Sequence, residues 1–236
     1  MSLQSRRKFL SNGSMATAAL LTLKPFTSVA NSISPLTGFS INNNSLVLAH
    51  TGNALGVITS QTVQQIKQLK SNNANLLMLH AGESTPVAQA PYDASMHTGE
   101  GCSVSANDYK ILYRGDIKTG VITANDNTAS AESINALAIY LKKEKDCHLV
   151  VCLSQLGYKS TKGLNDLSLA EASTHVDIIT GGHADDFCKR PITARNKNKE
   201  EVIINHAADK ELAFRKIEIG FDKQGKKYQV GISKTC

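Results

Sequence analysis

The chain reads as a layered α/β domain built on a mixed sheet, and three observations predict it. The N-terminal part alternates apolar strands with a helix-spaced segment, which favours parallel pairing. The last third alternates apolar and polar residues in short runs, as antiparallel strands do. The chain has 236 residues, 41% of them hydrophobic and 19% charged, enough for one core of ordinary size.

The elements follow in order. Leu46 to His50 is a first strand, followed by the Gly-punctuated loop Thr51-Gly52-Asn53-Ala54-Leu55-Gly56. Val63, Ile66 and Leu69 recur at helical spacing, with Ser60 as the N-cap. Leu76 to Leu79 is a buried strand ending in His80-Ala81-Gly82-Glu83. Ser84 to Asp108 has no periodicity and reads as an irregular loop of roughly 25 residues, longer than loops usually run without a function. Tyr109 to Tyr113 and Ile117 to Thr123 form a hairpin around Arg114-Gly115-Asp116, and Ile134, Leu137, Ala138 and Leu141 mark an amphipathic helix. His148 to Ser154 is a strand, Leu167 to Ala172 a short helix, and Val176 to Thr180 a strand. Val202 to Asn205, Ala213 to Phe221 and Tyr228 to Ser233 read as antiparallel strands, the last two joined by a turn at Asp222 to Gly225.

The N-terminus stands apart from this domain. Ser5-Arg6-Arg7-Lys8-Phe9-Leu10 precedes a modest apolar run from Met15 to Leu23, then Lys24, then Ser28-Val29-Ala30. This resembles a bacterial twin-arginine export signal cleaved after about Ala30, which implies a periplasmic protein. The apolar run is too short to span a bilayer, so no stable membrane span is expected. The organisation is therefore a signal over 1–30, a polar lead-in over 31–44 and a domain over 45–236. Of 26 basic side chains, four (Arg6, Arg7, Lys8 and Lys24) lie in the signal, which leaves 22 against 20 acidic ones. The formal charge of +6 therefore overstates the basicity of the mature protein. The basic runs at Lys142 to Lys145, Arg195 to Lys199 and Lys223 to Lys227 read as solvated helix ends and turns, so no nucleic-acid partner is expected. Export permits disulfides, and the five cysteines leave one odd. Cys147 and Cys152 read as buried thiols, and the pairing of Cys102, Cys188 and Cys236 stays open.

The chemistry lies in the turns after the strands. Val150 to His183 delivers Gly181-Gly182-His183 directly after a buried strand, a common way to place a metal ligand. Asn53, Glu83, Gln155, His183 and Asp185 all sit in such turns, and carboxylate, imidazole and amide donors suit a divalent ion. Four of them also have an ordinary role: a turn residue for Asn53, a loop hydrogen-bonder for Gln155, a loop carboxylate for Glu83, a strand-end cap for His183. The histidines at 50, 80, 148, 175 and 206 read as core or surface residues.

These motifs resemble those of the calcineurin-like metallophosphoesterases, in particular bacterial exported 5'-nucleotidase-type enzymes. The resemblance implies a truncated α/β/β/α sandwich, and a site in which two metal ions about 3.5–4 Å apart activate a water against a phosphate monoester. The family pattern His-Thr-Asn-Asp-Leu-His-Gly stands here as His50-Thr51-Gly52-Asn53-Ala54-Leu55-Gly56, with Asn53 for the ligand Asp and Leu55 for the ligand His. Asp-Ala-Gly-Asp stands as His80-Ala81-Gly82-Glu83, with Glu83 at the bridging position. The Gly-Asn-His-Asp/Glu motif is absent; Ser84 to Asp108 stands where the family has about fifty residues more, and His97 within it lacks matching neighbours. Ser-His-Leu-Gly is Ser154-Gln155-Leu156-Gly157, and Gly-Gly-His-x-His is Gly181-Gly182-His183-Ala184-Asp185. The Gly-rich loop near the last strands is altered to Asn205-His206-Ala207-Ala208-Asp209.

Charge balance sets the expectation for function. Two divalent ions carry four positive charges, and only Glu83 and Asp185 are anionic at these positions. At most one divalent ion (Zn, Mn, Mg or Ca) is expected, held by Glu83, His183 and Asp185 with Asn53 and Gln155 as weak neutral donors. No catalytic residue is assigned. Three readings follow: a catalytically impaired relative (a pseudoenzyme) with a binding role, a single-metal hydrolase of phosphate esters or nucleotides, and an exported partner-binding module. For the last, a separately encoded nucleotidase C-terminal-type domain is the partner the resemblance implies.

Overall fold

The computed structural model describes residues 44–52, 60–82, 92–96, 104, 108–125, 129–161, 163–182, 188, 190–207 and 214–235. All fall within one compact unit, residues 41–236. Residues 1–43, which hold the expected export signal over 1–30 and most of the expected lead-in over 31–44, lie outside the described residues, as do Asn53, Glu83, His183 and Asp185.

Two mixed sheets are stacked face to face. The strands are β1 (Ser45–Thr51), β2 (Leu76–His80), β3 (Ala94–Ser95), β4 (Tyr109–Arg114), β5 (Ile117–Ala124), β6 (Leu149–Ser154), β7 (Ile178–Gly181), β8 (Ile192–Arg195), β9 (Glu201–His206), β10 (Phe214–Phe221) and β11 (Lys227–Thr235). The helices are α1 (Ser60–Asn72), α2 (Ala131–Lys143) and α3 (Asp166–Ala172). The first sheet runs β11-β10-β1-β2-β3 and the second β4-β5-β6-β7-β9-β8.

Strand parity divides the core into three. Leu46, Leu48, Leu77 and Leu79 face Val151, Leu153, Ile178 and Ile203 between the sheets, joined by Ile217, Ile219 and Phe221. The opposite parity of the second sheet (Ile122, Val150, Cys152, Ile179, Ile204) packs under Ile134, Ala138 and Leu141 of α2 and Leu169 of α3. The outer face of the first sheet places Ala49, Leu76 and Met78 against Ile66 of α1. The layers are therefore α/β/β/α, as the family resemblance implies. A buried side chain of this kind contributes about 1.5–3 kcal/mol by leaving water.

Local signals explain the boundaries. The Ser130 side chain accepts from Ser133 N while Ser133 Oγ lies 3.3 Å from Ser130 N, a reciprocal cap that starts α2. Asn165 and Ser168 do the same for α3. Lys142 and Lys143 close α2 where its dipole favours cations. Gly120 on β5 lets α2 approach: a Cβ there would lie 2.8 Å from Leu141 Cδ1. In the β10–β11 turn Asp222 Oδ1 accepts from Gln224 N and Lys226 N, with Gly225 at φ 76°.

Three expectations need correction. β9 is not an antiparallel strand of the last third; it pairs parallel with β7 and antiparallel only with β8, a strand the sequence reading missed. Its burial on both faces from Val202 to His206 is the mark of an interior strand. Ser84 to Asp108 is not wholly irregular, because Ala94 and Ser95 add a two-residue strand parallel to β2. Ser60 is the first residue of α1 rather than a cap before it.

The cysteines also resolve in part. Cys147, Cys152 and Cys188 are buried free thiols, so Cys188 joins no disulfide; Cys102 and Cys236 lie outside the described residues. No described helix is long and apolar enough to cross a membrane.

Candidate functional site

The strands that should carry the site end at one place. β1 and β2 are parallel, as are β5, β6, β7 and β9, so their carboxyl ends gather on one edge. Backbones there touch directly. A Cβ on Gly182 would lie 2.2 Å from Ala81 O and 2.9 Å from Gln155 Nε2. A Cβ on Gly52 would lie 2.8 Å from Ala207 O and 2.9 Å from the Gly182 Cα. Glycine is required at both positions because any side chain would part the two sheets. Gly52, Gly82 and Gly182 immediately precede Asn53, Glu83 and His183 in the chain. The tips that deliver these loops, and Gln155 itself, thus converge from both sheets.

Gln155 is the one described residue among the five candidates. It is buried, and its Nε2 donates to the Ala81 carbonyl, tying the tip of β6 to the tip of β2. Its Oε1 is buried with no hydrogen-bond partner among the described residues. An unpaired buried amide oxygen costs about 1–3 kcal/mol, so this atom is a ready acceptor for a cation or a water. Among the described residues, no group of three His, Cys, Asp or Glu side chains is arranged to hold a metal ion. The described part of the edge therefore fits an ion with one neutral oxygen only.

Beneath the tips lie three buried polar groups that the sequence reading did not assemble. Between the sheets, Asn205 Nδ2 lies 3.0 Å from His50 Nε2. Arg215, buried, stands opposite His50 in the β1–β10 register. Burial holds the His50 pKa down to about 3, with smaller contributions from His206, Arg215 and His80, so this imidazole is neutral near pH 7. On the outer face of the second sheet, Asp166 at the start of α3 takes the Ser154 hydroxyl on Oδ1. Its Oδ2 lies 2.9 Å from His206 Nε2, an ion-pair distance but out of line for a hydrogen bond. On the outer face of the first sheet, Thr51 Oγ1 lies 2.7 Å from His80 Nδ1 and 2.9 Å from the Tyr92 hydroxyl. His50, His80 and His206 are core residues, as expected. Polar residues at core-facing positions of apolar strands were the available signal for these groups.

Other charges stay at the periphery. Asp177 Oδ2 takes Lys142 Nζ at 2.7 Å and Val150 N at 2.8 Å, and its Oδ1 lies 3.3 Å from Lys227 Nζ. Two of the three basic runs are thus anchored at the second sheet's edge rather than massed into an anion-binding face.

Comparison with known proteins supports the fold by shape rather than by sequence. No protein-family profile matches the chain, and no curated protein matches it either. Among solved structures, a 5'-nucleotidase precursor from Thermus thermophilus superposes with a TM-score of 0.62 at 20% identity, over 80% of this chain and 54% of that one. The NAD nucleotidase of Haemophilus influenzae gives 0.62 at 15% identity, over 80% of this chain and 49% of its own. The sulfate thiohydrolase SoxB of Thermus thermophilus gives 0.52 at 15% identity, over 78% of this chain and 43% of its own. The chain spans about half the length of these structures. The two stacked mixed sheets and their flanking helices are the fold of the calcineurin-like metallophosphoesterase domain that these nucleotidases carry.

Proposed function

We propose that this chain is a metallophosphoesterase-fold protein that has lost two-metal phosphoester hydrolysis and keeps a binding role at its strand tips. The observation that carries the reading is Gln155. An imidazole stands at this motif position in the enzymes the chain resembles; here the Nε2 amide is committed to the Ala81 carbonyl, and one neutral oxygen remains. Asn53 and Leu55, at two more ligand positions, contribute no charge.

One divalent ion remains compatible with these residues. Glu83, His183 and Asp185 would hold it, with Gln155 Oε1 completing the set as a neutral oxygen. Such an ion would act as a Lewis acid toward a phosphate ester or nucleotide bound at the tips. The chain's own part is to bind and orient that ligand at the strand tips. The N-terminal stretch that resembles a twin-arginine signal supports a periplasmic location for it.

Elemental analysis of the full chain, beside phosphate release from a nucleoside monophosphate in manganese or zinc, tests the reading. At most one ion per chain and no sustained turnover are expected. Two ions per chain, or robust phosphate release, would overturn it in favour of a working hydrolase.

A further inference from the structure

The chain has six tyrosines and no tryptophan, and the structure describes all six. Only Tyr109 and Tyr140 are in ring contact with each other. Tyr109 opens β4, an outermost strand of the second sheet that pairs with β5 alone among the described strands. It stands opposite Ile122, which packs under α2, so its ring is delivered to the same outer face. Tyr140 lies on the shoulder of α2, one residue before the buried Leu141. The two ring centroids are 5.6 Å apart with an interplanar angle of 57°. Tyr140 is 37% exposed, so the pair is open to reagents in solvent. The remaining tyrosines have other neighbours: Thr51 for Tyr92, Lys118 for Tyr113, His206 for Tyr158 and Gly220 for Tyr228.

The two phenols also meet end to end. Lys145, just beyond α2, holds its Nζ 5.2 Å from the centroid of the Tyr140 ring. Hydrogen bonds from Lys145 and then from Tyr109 hold the Tyr140 phenol below its ordinary pKa, and donation to Tyr140 pushes the Tyr109 phenol up. The order is therefore Lys145 ammonium, Tyr140 oxygen, Tyr109 hydroxyl. With the C–O ends together, the ortho carbons beside them are brought to the contact. Those carbons carry much of the unpaired spin of a phenoxyl radical, and they are where two such radicals join.

We propose that Tyr109 and Tyr140 form an oxidative modification site, at which peroxide couples the two rings into a dityrosine link between β4 and α2. Each phenol gives up one electron and its hydroxyl proton, leaving two phenoxyl radicals. One ortho carbon of each ring then forms the new carbon–carbon bond. The hydrogens on those two carbons move to the oxygens, which restores both phenols. The two electrons and two protons reduce one hydrogen peroxide to two waters, with a haem peroxidase as the one-electron carrier. Each link therefore consumes one peroxide and removes two hydrogens from the chain. Composition leaves few competitors, since there is no indole and Cys147, Cys152 and Cys188 are buried. Placement favours coupling within one chain over coupling between chains. Groups tethered this closely meet at an effective concentration of millimolar or more, about 100-fold above a protein at about 10 µM.

The test oxidises the full chain at about 10 µM with a haem peroxidase and one equivalent of hydrogen peroxide. Dityrosine fluorescence should appear in the monomer, whose mass should fall by two hydrogens. Peptide mapping should join the peptides that carry Tyr109 and Tyr140. Tyr109→Phe and Tyr140→Phe should each lose the link within the chain. Tyr113→Phe should keep it, although Tyr113 is 58% exposed on the same strand. Fluorescence confined to dimers overturns the proposal, as does a monomer in which other tyrosines are joined. So does a link within the chain that survives Tyr140→Phe, or a folded chain left uncoupled while free tyrosine in the same tube is coupled. The peptide map of the wild type stands alone if a variant fails to fold.

Discussion

His50 should set part of the acid limit of this fold. Its imidazole is fully enclosed between the sheets, where burial, then His206, Arg215 and His80, disfavour the charged form and hold the pKa at about 3. In the unfolded chain the same group titrates near 6.5. The native state therefore binds fewer protons than the unfolded state between these two values. The stabilisation is complete above pH 6.5 and is lost as pH falls toward 3. The full separation of about 3.5 units corresponds to about 4–5 kcal/mol. By about pH 5 roughly 2 kcal/mol of it should be gone. Urea unfolding of the wild type and of His50→Gln, from about pH 7.5 to pH 5, isolates the effect, because all other titrating groups are common to both. Glutamine keeps a polar atom toward Asn205 and cannot titrate. The variant is expected to be less stable at neutral pH, yet to lose about 2 kcal/mol less than the wild type over that range. Parallel stability curves would refute the reasoning, since they would mean that His50 already takes a proton in the folded chain.

Two further predictions concern packing. Gly182→Ala should cost about 1–3 kcal/mol or more, because the new methyl would lie 2.2 Å from the Ala81 carbonyl; the urea midpoint should fall with little change in slope. Burial pushes the Cys188 thiol up to about 11 and the Cys152 thiol higher still, so both should resist a thiol reagent near pH 8 in the folded chain and react fully in urea. Peptide mapping after labelling separates them from Cys102 and Cys236.

Much of the scaffold is legible in the sequence because each core layer has its own period. Leu46 and Leu48 or Leu77 and Leu79 alternate inward, and Ile134, Ala138 and Leu141 mark one helical face. β8 is not legible: Ile192 to Arg195 is four residues long, directly after a proline and ahead of a charged run, too short for a period to emerge. β9 was assigned the wrong partner for a related reason. A glutamate at its start gives an appearance of alternation, while the five residues that follow are all buried. The tips of the site are legible through their glycines, whose absent side chains permit the contact of Gly52 with Gly182 and of Gly182 with Ala81. The groups beneath them are not. His50 and Asn205 are 155 residues apart, and no local pattern announces a hydrogen bond across two sheets.

Those hidden groups explain how this scaffold can persist whatever residues stand at the ligand positions. Ligands in a metallophosphoesterase fold stand on loops just past the strand ends, whereas the tip of each strand here is fixed by contacts below that level. Thr51 and His80 bind β1 to β2, His50 and Asn205 join the two sheets, and Ser154, Asp166 and His206 hold α3 over β6 and β9. None of these contacts passes through Asn53, Glu83, His183 or Asp185. Replacing a ligand therefore leaves these contacts in place, and the cost of breaking them does not arise. Gln155 is the exception, because it belongs to both levels: one end of its amide closes β6 onto β2, and the other has no partner among the described residues. A histidine there would retain a ring donor but change its reach to Ala81. This position consequently couples the geometry of the tips to whatever occupies them, and binding at the edge should be felt first as a change in how the two sheets are joined.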